Sequence, residues 1–390
     1  MAVTGEKSST CLVCGRRTGE PFVELRDVPT NPNVLWSSEE EALAAPRADI
    51  GLSRCDNCGL IWNVWFDEKA LSYGEEYENS LHFSQVFQRY SEALADRLID
   101  RYRLEGRHVV EIGCGKGEFL ALLCERGGCT GIGFDPSYAG ESDGRAAGRV
   151  SFVRDVVGEG TDLGQPDLVV CRHVVEHLDD PVGTLTSTRA ALGGRTAAIY
   201  VEVPSAEYLL REGAVWDVIY THVTCLSARA LGQVLERAGF HVFDHGFSFG
   251  GEYLWIEAST ARADERHSAD DGDVSTLLAR FSEHAAAKRQ LWAERLSEHL
   301  ASQPVALWGA GAKAVTFLNV VPGGRRVDMV VDVNPRKHGR YLPGTSHVIE
   351  PPDALVEARP GTVVVMNPAY RDEISQTLDD LGVEAAVMVA

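Results

Sequence analysis

The stretch Val109-Val110-Glu111-Ile112-Gly113-Cys114-Gly115-Lys116-Gly117-Glu118-Phe119-Leu120 constrains this chain more than any other. Its valines and Ile112 read as the end of a buried strand, and a helical pattern starts at Glu118. Between them, three glycines at alternate positions make a tight turn. Glycine tolerates positive φ and lets the backbone come close to a bound ligand. Twenty residues past Gly115, after Gly131-Ile132-Gly133-Phe134, stands Asp135. An acid at the end of a second strand is placed to take both hydroxyls of a ribose.

Dinucleotide folds space these glycines G-x-G-x-x-G, which brings a pyrophosphate onto a helix N-terminus. Here the spacing is G-x-G-x-G, with Glu111 before the first glycine. A carboxylate there repels a pyrophosphate and holds an ammonium by a charge-assisted bond. The segment resembles motif I of class I methyltransferases, which bind S-adenosylmethionine (SAM). On that resemblance Glu111, Gly113 and Gly115 line the methionine part, Gly117 closes the turn, and Asp135 holds the ribose. Asp155, after Phe152-Val153-Arg154, is placed either to accept from the adenine amino group or to be a solvated loop acid.

Four of the nine cysteines form a second pattern, Cys11-x-x-Cys14 and, forty residues later, Cys55-x-x-Cys58, each pair followed by a glycine. Two such knuckles aim four thiolates at one ion, which suits Zn²⁺ in a closed structural site. Two disulfides are the alternative, disfavoured in a reducing compartment. The charge balance, 37 basic against 57 acidic residues for a net −20, argues against a broad nucleic-acid surface. The zinc is therefore expected to staple a small domain with too little core of its own. No apolar run approaches the ~20 residues of a membrane span. The N-terminus, Met1 to Thr10, is polar and without a signal-peptide core, so a cytoplasmic protein is expected.

At 390 residues the chain is long for one core. The expected division is a zinc module (1–75), a SAM-binding methyltransferase domain (76–261), a linker and connecting helix (262–302) and a C-terminal Rossmann-like domain (303–390). An amphipathic helix is expected over about 80–105, and strands at 108–112, 130–134, 150–153, 167–171 and 196–202, alternating with helices around a parallel sheet. A further helix is expected from Val274 to Leu300, with Trp292, Leu296 and Leu300 on one stripe and Asp273 as its cap. The C-terminal ninety residues open on a second strand–turn–helix, Val305-Ala306-Leu307-Trp308-Gly309-Ala310-Gly311-Ala312-Lys313, spaced G-x-G-x-x-A, with Asp332 twenty-one residues past Gly311. Alone it suggests NAD, although the remaining length suits half a doubly wound sheet. Lys313 and the basic loop Pro335–Thr345 read either as a place for a diphosphate or as a solvated loop.

Taken together, the chain resembles the nucleotide-sugar C-methyltransferases that build branched deoxysugars for antibiotics, of which the kijanose C-3 methyltransferase is an example. Matching segments include Arg172-His173-Val174-Val175-Glu176-His177, Glu202-Val203-Pro204, Tyr220-Thr221-His222, Gly250-Gly251, Gly309–Lys313 and Gly339-Arg340-Tyr341-Leu342-Pro343-Gly344. The resemblance implies a dTDP-4-keto-deoxysugar whose C-3 proton is removed by a base, the carbanion then taking the methyl group of SAM. His222 occupies the family's base position, a role suited to histidine. Tyr220 matches a tyrosine that hydrogen-bonds the enolate or sugar oxygen. His173 and His177 follow the fourth strand and face the cofactor or substrate crevice. Glu202, Gly251, Lys313, Arg340 and Tyr341 are the substrate-side candidates. The chain departs from the family at Thr221, usually glutamate, at Thr224-Cys225-Leu226, usually Ser-Tyr-Phe, and at Glu252, usually small. Loss of a carboxylate beside a histidine lowers its basicity, so the acceptor could be another nucleotide sugar or small metabolite, or C-methylation could be lost. A NAD-dependent sugar oxidoreductase and a zinc-module nucleic-acid methylase are the other classes. The expected partners are a small-molecule acceptor, no nucleic acid and no membrane, with the chain a monomer or weak dimer.

Overall fold

The structure is a computed structural model that describes residues 10–71, 77–139, 146, 148–262 and 274–390. The expected Asp273 cap and nearly all of the expected linker lie outside the described residues. The N-terminal module runs from the first cysteine knuckle through β1 (Val23–Pro29), α1 (Glu39–Leu43), β2 (Arg47–Arg54) and β3 (Ile61–Asn63), the three strands pairing antiparallel. Helix α2 (Gln85–Tyr102) follows, its buried face formed by Phe87, Leu94, Ala95 and Leu98 at helical spacing. Ser84 caps it by accepting from the Phe87 amide.

The central sheet is built from β4 (His108–Ile112), α3 (Glu118–Gly127), β5 (Thr130–Phe134), β6 (Val150–Val153), β7 (Leu168–Arg172), α4 (Pro181–Ala191), β8 (Ala198–Pro204), α5 (Ala206–Arg211), β9 (Thr224–Cys225), α6 (Ala228–Arg237), β10 (His241–Ser248) and β11 (Tyr253–Ser259). Its order is β10-β11-β8-β7-β4-β5-β6, parallel from β8 to β6. Three expected strands coincide with the observed ones; the other two begin one and two residues later than expected. The antiparallel β10–β11 pair was not foreseen, because β10 is half-exposed along most of its length and lacks a clean alternation. β9 leaves this sheet and pairs with β3, so the N-terminal sheet is completed by residues expected to belong to the methyltransferase domain.

The last unit comprises α7 (Val274–Ser302), β12 (Val305–Trp308), α8 (Ala312–Val320), β13 (Met329–Val331), β14 (Ile349–Glu350), α9 (Leu355–Ala358), β15 (Thr362–Val365), α10 (Arg371–Leu381) and β16 (Ala386–Val389). Its five strands, in the order β14-β13-β12-β15-β16, are all parallel. α7 buries Trp292 and Leu296, with Leu300 partly covered, as its stripe predicts. Trp292 and Trp216 both meet the Phe317 ring edge-on, at 5.4 and 4.9 Å, in a core shared with Leu25, Ile50 and Leu52 of the first sheet. Each such buried side chain contributes about 1.5–3 kcal/mol, so the N- and C-terminal units are held to the center by apolar burial. Among the described residues, no helix is long and apolar enough to cross a membrane.

Candidate active site

In the central sheet, β4 lies between β5 and β7, and the crevice at the carboxyl ends of these strands is where such folds bind ligands. The turn after β4 stands there. Gly113 has φ +70°, and a Cβ on it would lie 2.0 Å from Val174 Cγ2, so only glycine fits. Gly115, at φ +54°, has no atom within 4 Å of where its Cβ would be: the turn is open on that side. Gly117 leads into α3 without a side-chain cap. Glu111 supplies an acid to that helix start instead, one oxygen accepting from the Leu120 amide at 3.1 Å. Burial pushes its pKa up to about 8, against the pull of Arg172 and the Leu120 amide.

Asp135 reaches back to the turn and accepts from the Gly115 amide at 2.8 Å, while its other oxygen accepts from the amide and hydroxyl of Ser137. A carboxylate has about four acceptor sites, so capacity is left for a ribose. The open side of Gly115 and the half-exposed Asp135 beside it fit a nucleoside ligand. Asp155 is exposed at the end of β6 and accepts only from the neighbouring Val156 amide among the bonds found for it.

The second half of the crevice begins where β7 ends. His173 has φ +55°, uncommon for a side-chain-bearing residue and a mark of functional loops. Its Nδ1 lies 3.7 Å from Glu176 and its Nε2 3.5 Å from Glu202. Burial opposes its charge, but the two carboxylates outweigh it and raise the pKa to about 9. Glu176, His177 and His222 each bring one ligand-type atom within 4.8 Å of the others. The two imidazoles face each other edge-on at 5.0 Å. His177 Nδ1 lies 2.8 Å from the Thr221 carbonyl; donation from Nδ1 leaves Nε2 as the lone-pair nitrogen. Thr221 thus acts through its backbone where the resembled family has a glutamate. Burial, followed by the neighbouring His177, pushes the His222 pKa down to about 3, so its ring is neutral at neutral pH.

Other candidates are already engaged within the protein. Glu202 is fully buried, bound by Arg172 at 2.9 Å and by the hydroxyls of Tyr200, at 2.7 Å, and Tyr90. Tyr220 is buried against Phe66, its hydroxyl donating to the Asp67 carbonyl and accepting from the Asp67 amide, which pins the N-terminal module to the central one. Lys313 lies between Glu252 at 2.7 Å and Asp217 at 3.0 Å, and Glu252 also accepts from Asn367. Its ammonium is therefore neutralised before any diphosphate arrives. Arg340 donates to Ser37, and Tyr341 pairs through its backbone with Trp36 and Val348. The loop expected to receive a diphosphate is thus docked on the N-terminal module. Gly251 (φ +92°) follows Phe249 and Gly250, also left-handed, in the β10–β11 connection. Phe249 stacks on Tyr253 at 5.0 Å and meets Tyr90 and Tyr370, forming an aromatic wall that motif reading missed.

The four N-terminal cysteines converge as the knuckle spacing predicts. Cys11 and Cys58 Sγ are 3.5 Å apart, Cys14 and Cys55 Sγ 3.4 Å apart, and all four thiols are free. Gly15 and Gly59 close the two turns by donating to the carbonyls of Cys11 and Cys55. A tetrahedron with Zn–S bonds of about 2.3 Å has edges of roughly 3.8 Å, so the residues present fit a metal ion with small adjustments. The remaining cysteines are buried, Cys114, Cys124 and Cys171 in apolar segments as expected.

Residues 83–245 match the model of a methyltransferase domain, and residues 258–389 match that of a C-methyltransferase C-terminal domain. The chain therefore carries these two domains in succession, and they support a SAM-dependent methyltransferase. No curated protein matches it. Among solved structures, it is similar to the pyocyanin biosynthetic protein PhzM (21% identity, 45% of this chain and 55% of that one, TM-score 0.37). It is also similar to a SAM-dependent methyltransferase from Aquifex aeolicus (14%, 47% and 100%, TM-score 0.36). A third is the Burkholderia thailandensis 1,6-didemethyltoxoflavin-N1-methyltransferase, solved with S-adenosylhomocysteine (17%, 45% and 80%, TM-score 0.35).

Proposed function

We propose that this chain is a zinc-stapled, SAM-dependent C-methyltransferase whose small acceptor carries an acidic C–H beside a carbonyl, a dTDP-4-keto-deoxysugar methylated at C-3 being the first candidate. The observation that carries this reading is the grouping of Glu176, His177 and His222 just past β7, the strand beside the one that feeds the Gly113 turn. A proton-handling group and a donor-binding turn thereby share one sheet edge. When bound, SAM supplies an electrophilic methyl group on its sulfonium. Glu111 and the glycine turn receive its amino-acid part, and Asp135 its ribose.

His222 is neutral at rest and takes the proton of the acceptor carbon, whose electron pair then forms the new carbon–carbon bond. An anionic acceptor beside it raises its pKa as the proton arrives. His177, held by the Thr221 carbonyl, orients His222, and the Glu176 carboxylate offsets the charge that appears on it. The wall of Phe249, Tyr253 and Tyr370 faces the sugar. Tyr370 has a buried hydroxyl without a hydrogen-bond partner among the described residues and is the group to meet an acceptor oxygen. Tyr220 is assigned to holding the N-terminal module in place.

The test is transfer of labelled methyl from SAM to a panel of dTDP-keto-sugars. His222→Ala should lower turnover by about 10²–10⁴-fold while SAM affinity stays at the wild-type level. Near-normal turnover removes His222 from the base role. NAD binding without SAM binding returns the chain to the oxidoreductase class. The acid limb of kcat/KM reports the free enzyme. With His222 held near 3, activity should persist to about pH 5 rather than fade near the ordinary histidine value of 6.5.

A further inference from the structure

The segment between the N-terminal module and α2 carries a carboxylate that no motif marks. Glu78 is 5% exposed, and its charge is held from three sides. Oε2 takes the Lys116 ammonium at 2.5 Å, and Oε1 accepts from the Ser80 amide at 3.0 Å and from Asn334 Nδ2 at 3.1 Å. Lys116 is the middle residue of the Gly115-Lys116-Gly117 turn. Asn334 belongs to the other glycine turn's acid loop, its amide donating to Asp332 at 2.8 Å. Arg336 approaches the same carboxylate at 3.9 Å. One buried acid therefore joins the donor turn to the C-terminal domain. Burial disfavours its charge, but Lys116 and the two hydrogen-bond donors more than offset that and keep it ionised.

We propose that Glu78 is a positioning residue for the methyl donor: it holds and neutralises the Lys116 ammonium beside the donor turn. The chemical reason lies in the ligand. SAM carries a positive sulfonium, whereas S-adenosylhomocysteine is neutral at sulfur. An unneutralised lysine in the same turn repels the first and leaves the second nearly unaffected. Glu78 therefore sets how well the site prefers substrate over product, which mere support of the fold does not do.

The inference rests on the methyltransferase reading, and the two fail differently. The experiment measures affinities for SAM and for S-adenosylhomocysteine in the full chain with its metal. Glu78→Gln keeps the shape of the side chain and removes its charge. It should weaken SAM relative to S-adenosylhomocysteine by about fivefold to tenfold, the scale of a site-to-site coupling. Adding Lys116→Met should restore the ratio, because the buried cation is gone. A ratio unchanged in Glu78→Gln, or one that Lys116→Met does not restore, overturns the proposal. Should Glu78→Gln not fold, Lys116→Met alone decides: removing the cation should raise the SAM preference, and an unchanged ratio overturns the proposal. Wild-type protein that binds neither ligand overturns the methyltransferase reading itself, and this inference with it.

Discussion

The two glycine turns of this chain have nearly the same local grammar and different surroundings. Each follows a central parallel strand, and each is paired with an acid at the end of the next strand. Each acid folds back onto its own turn, Asp135 onto the Gly115 amide at 2.8 Å and Asp332 onto the Ala310 amide at 2.7 Å. Around the first turn, Gly115 faces open space, Asp135 is half-exposed, and Lys116 is held by Glu78. Around the second, Lys337 lies 3.1 Å from Asp332 and bonds the Ala310 carbonyl, while Lys313 is held by Asp217 and Glu252. The strand–turn–helix motif specifies a backbone; whether a ligand has room and unneutralised groups to meet there depends on side chains from elsewhere.

The contrast can be broken by exchanging acid for alanine in each turn. Asp332→Ala leaves Lys337 buried without its anion and should cost about 3–5 kcal/mol of stability, read by denaturant melting, with SAM affinity unchanged wherever the protein is folded. Asp135→Ala should show the reverse: a stability loss below about 1 kcal/mol for a half-exposed acid, but SAM binding weakened tenfold or more, about 1.4 kcal/mol. Were both variants to lose only stability, the first turn would be as closed as the second.

The pH dependence sharpens the comparison on the donor side. Glu111 is raised from 4.5 to about 8 on folding. A raised pKa means that its contribution is fully present below 4.5 and is lost as pH rises through 8. Glu111→Gln should therefore flatten the fall in melting temperature between those values. SAM brings an ammonium that favours the ionised carboxylate, so wild-type affinity should climb toward pH 8, and calorimetry in buffers of different ionisation heat should detect proton release on binding. Asp155→Ala should have the smallest effect, a change in SAM affinity within about threefold, as for an exposed group. A tenfold loss would establish Asp155 as the adenine partner.

Much of this was legible in the chain itself. The alternation of apolar strands and helical stripes placed α2, the strands of the central sheet and α7, because burial on one face imposes its period on neighbouring residues. The cysteine knuckles and the glycines at positive φ were legible for the same reason: each requirement is local. The end of α2 shows the limit. Its cap Ser84 stands in sequence, but the acid that bonds Ser84 and the Gln85 and Val86 amides is Glu373, 289 residues from Ser84. Tyr220 and Lys313 illustrate the same limit, since their residue types suited a substrate and their partners are Asp67, Asp217 and Glu252.

The sequence by itself determined the sheet order's raw material, the two turns and the four-thiol cluster, since short-range geometry and hydrophobic period are written in adjacent residues. Only the tertiary structure decided which turn stays open, which acids are already neutralised, and that Glu176, His177 and His222 meet. Those outcomes depend on charges brought together from distant segments into a desolvated crevice, where a single carboxylate or ammonium changes what a motif can bind.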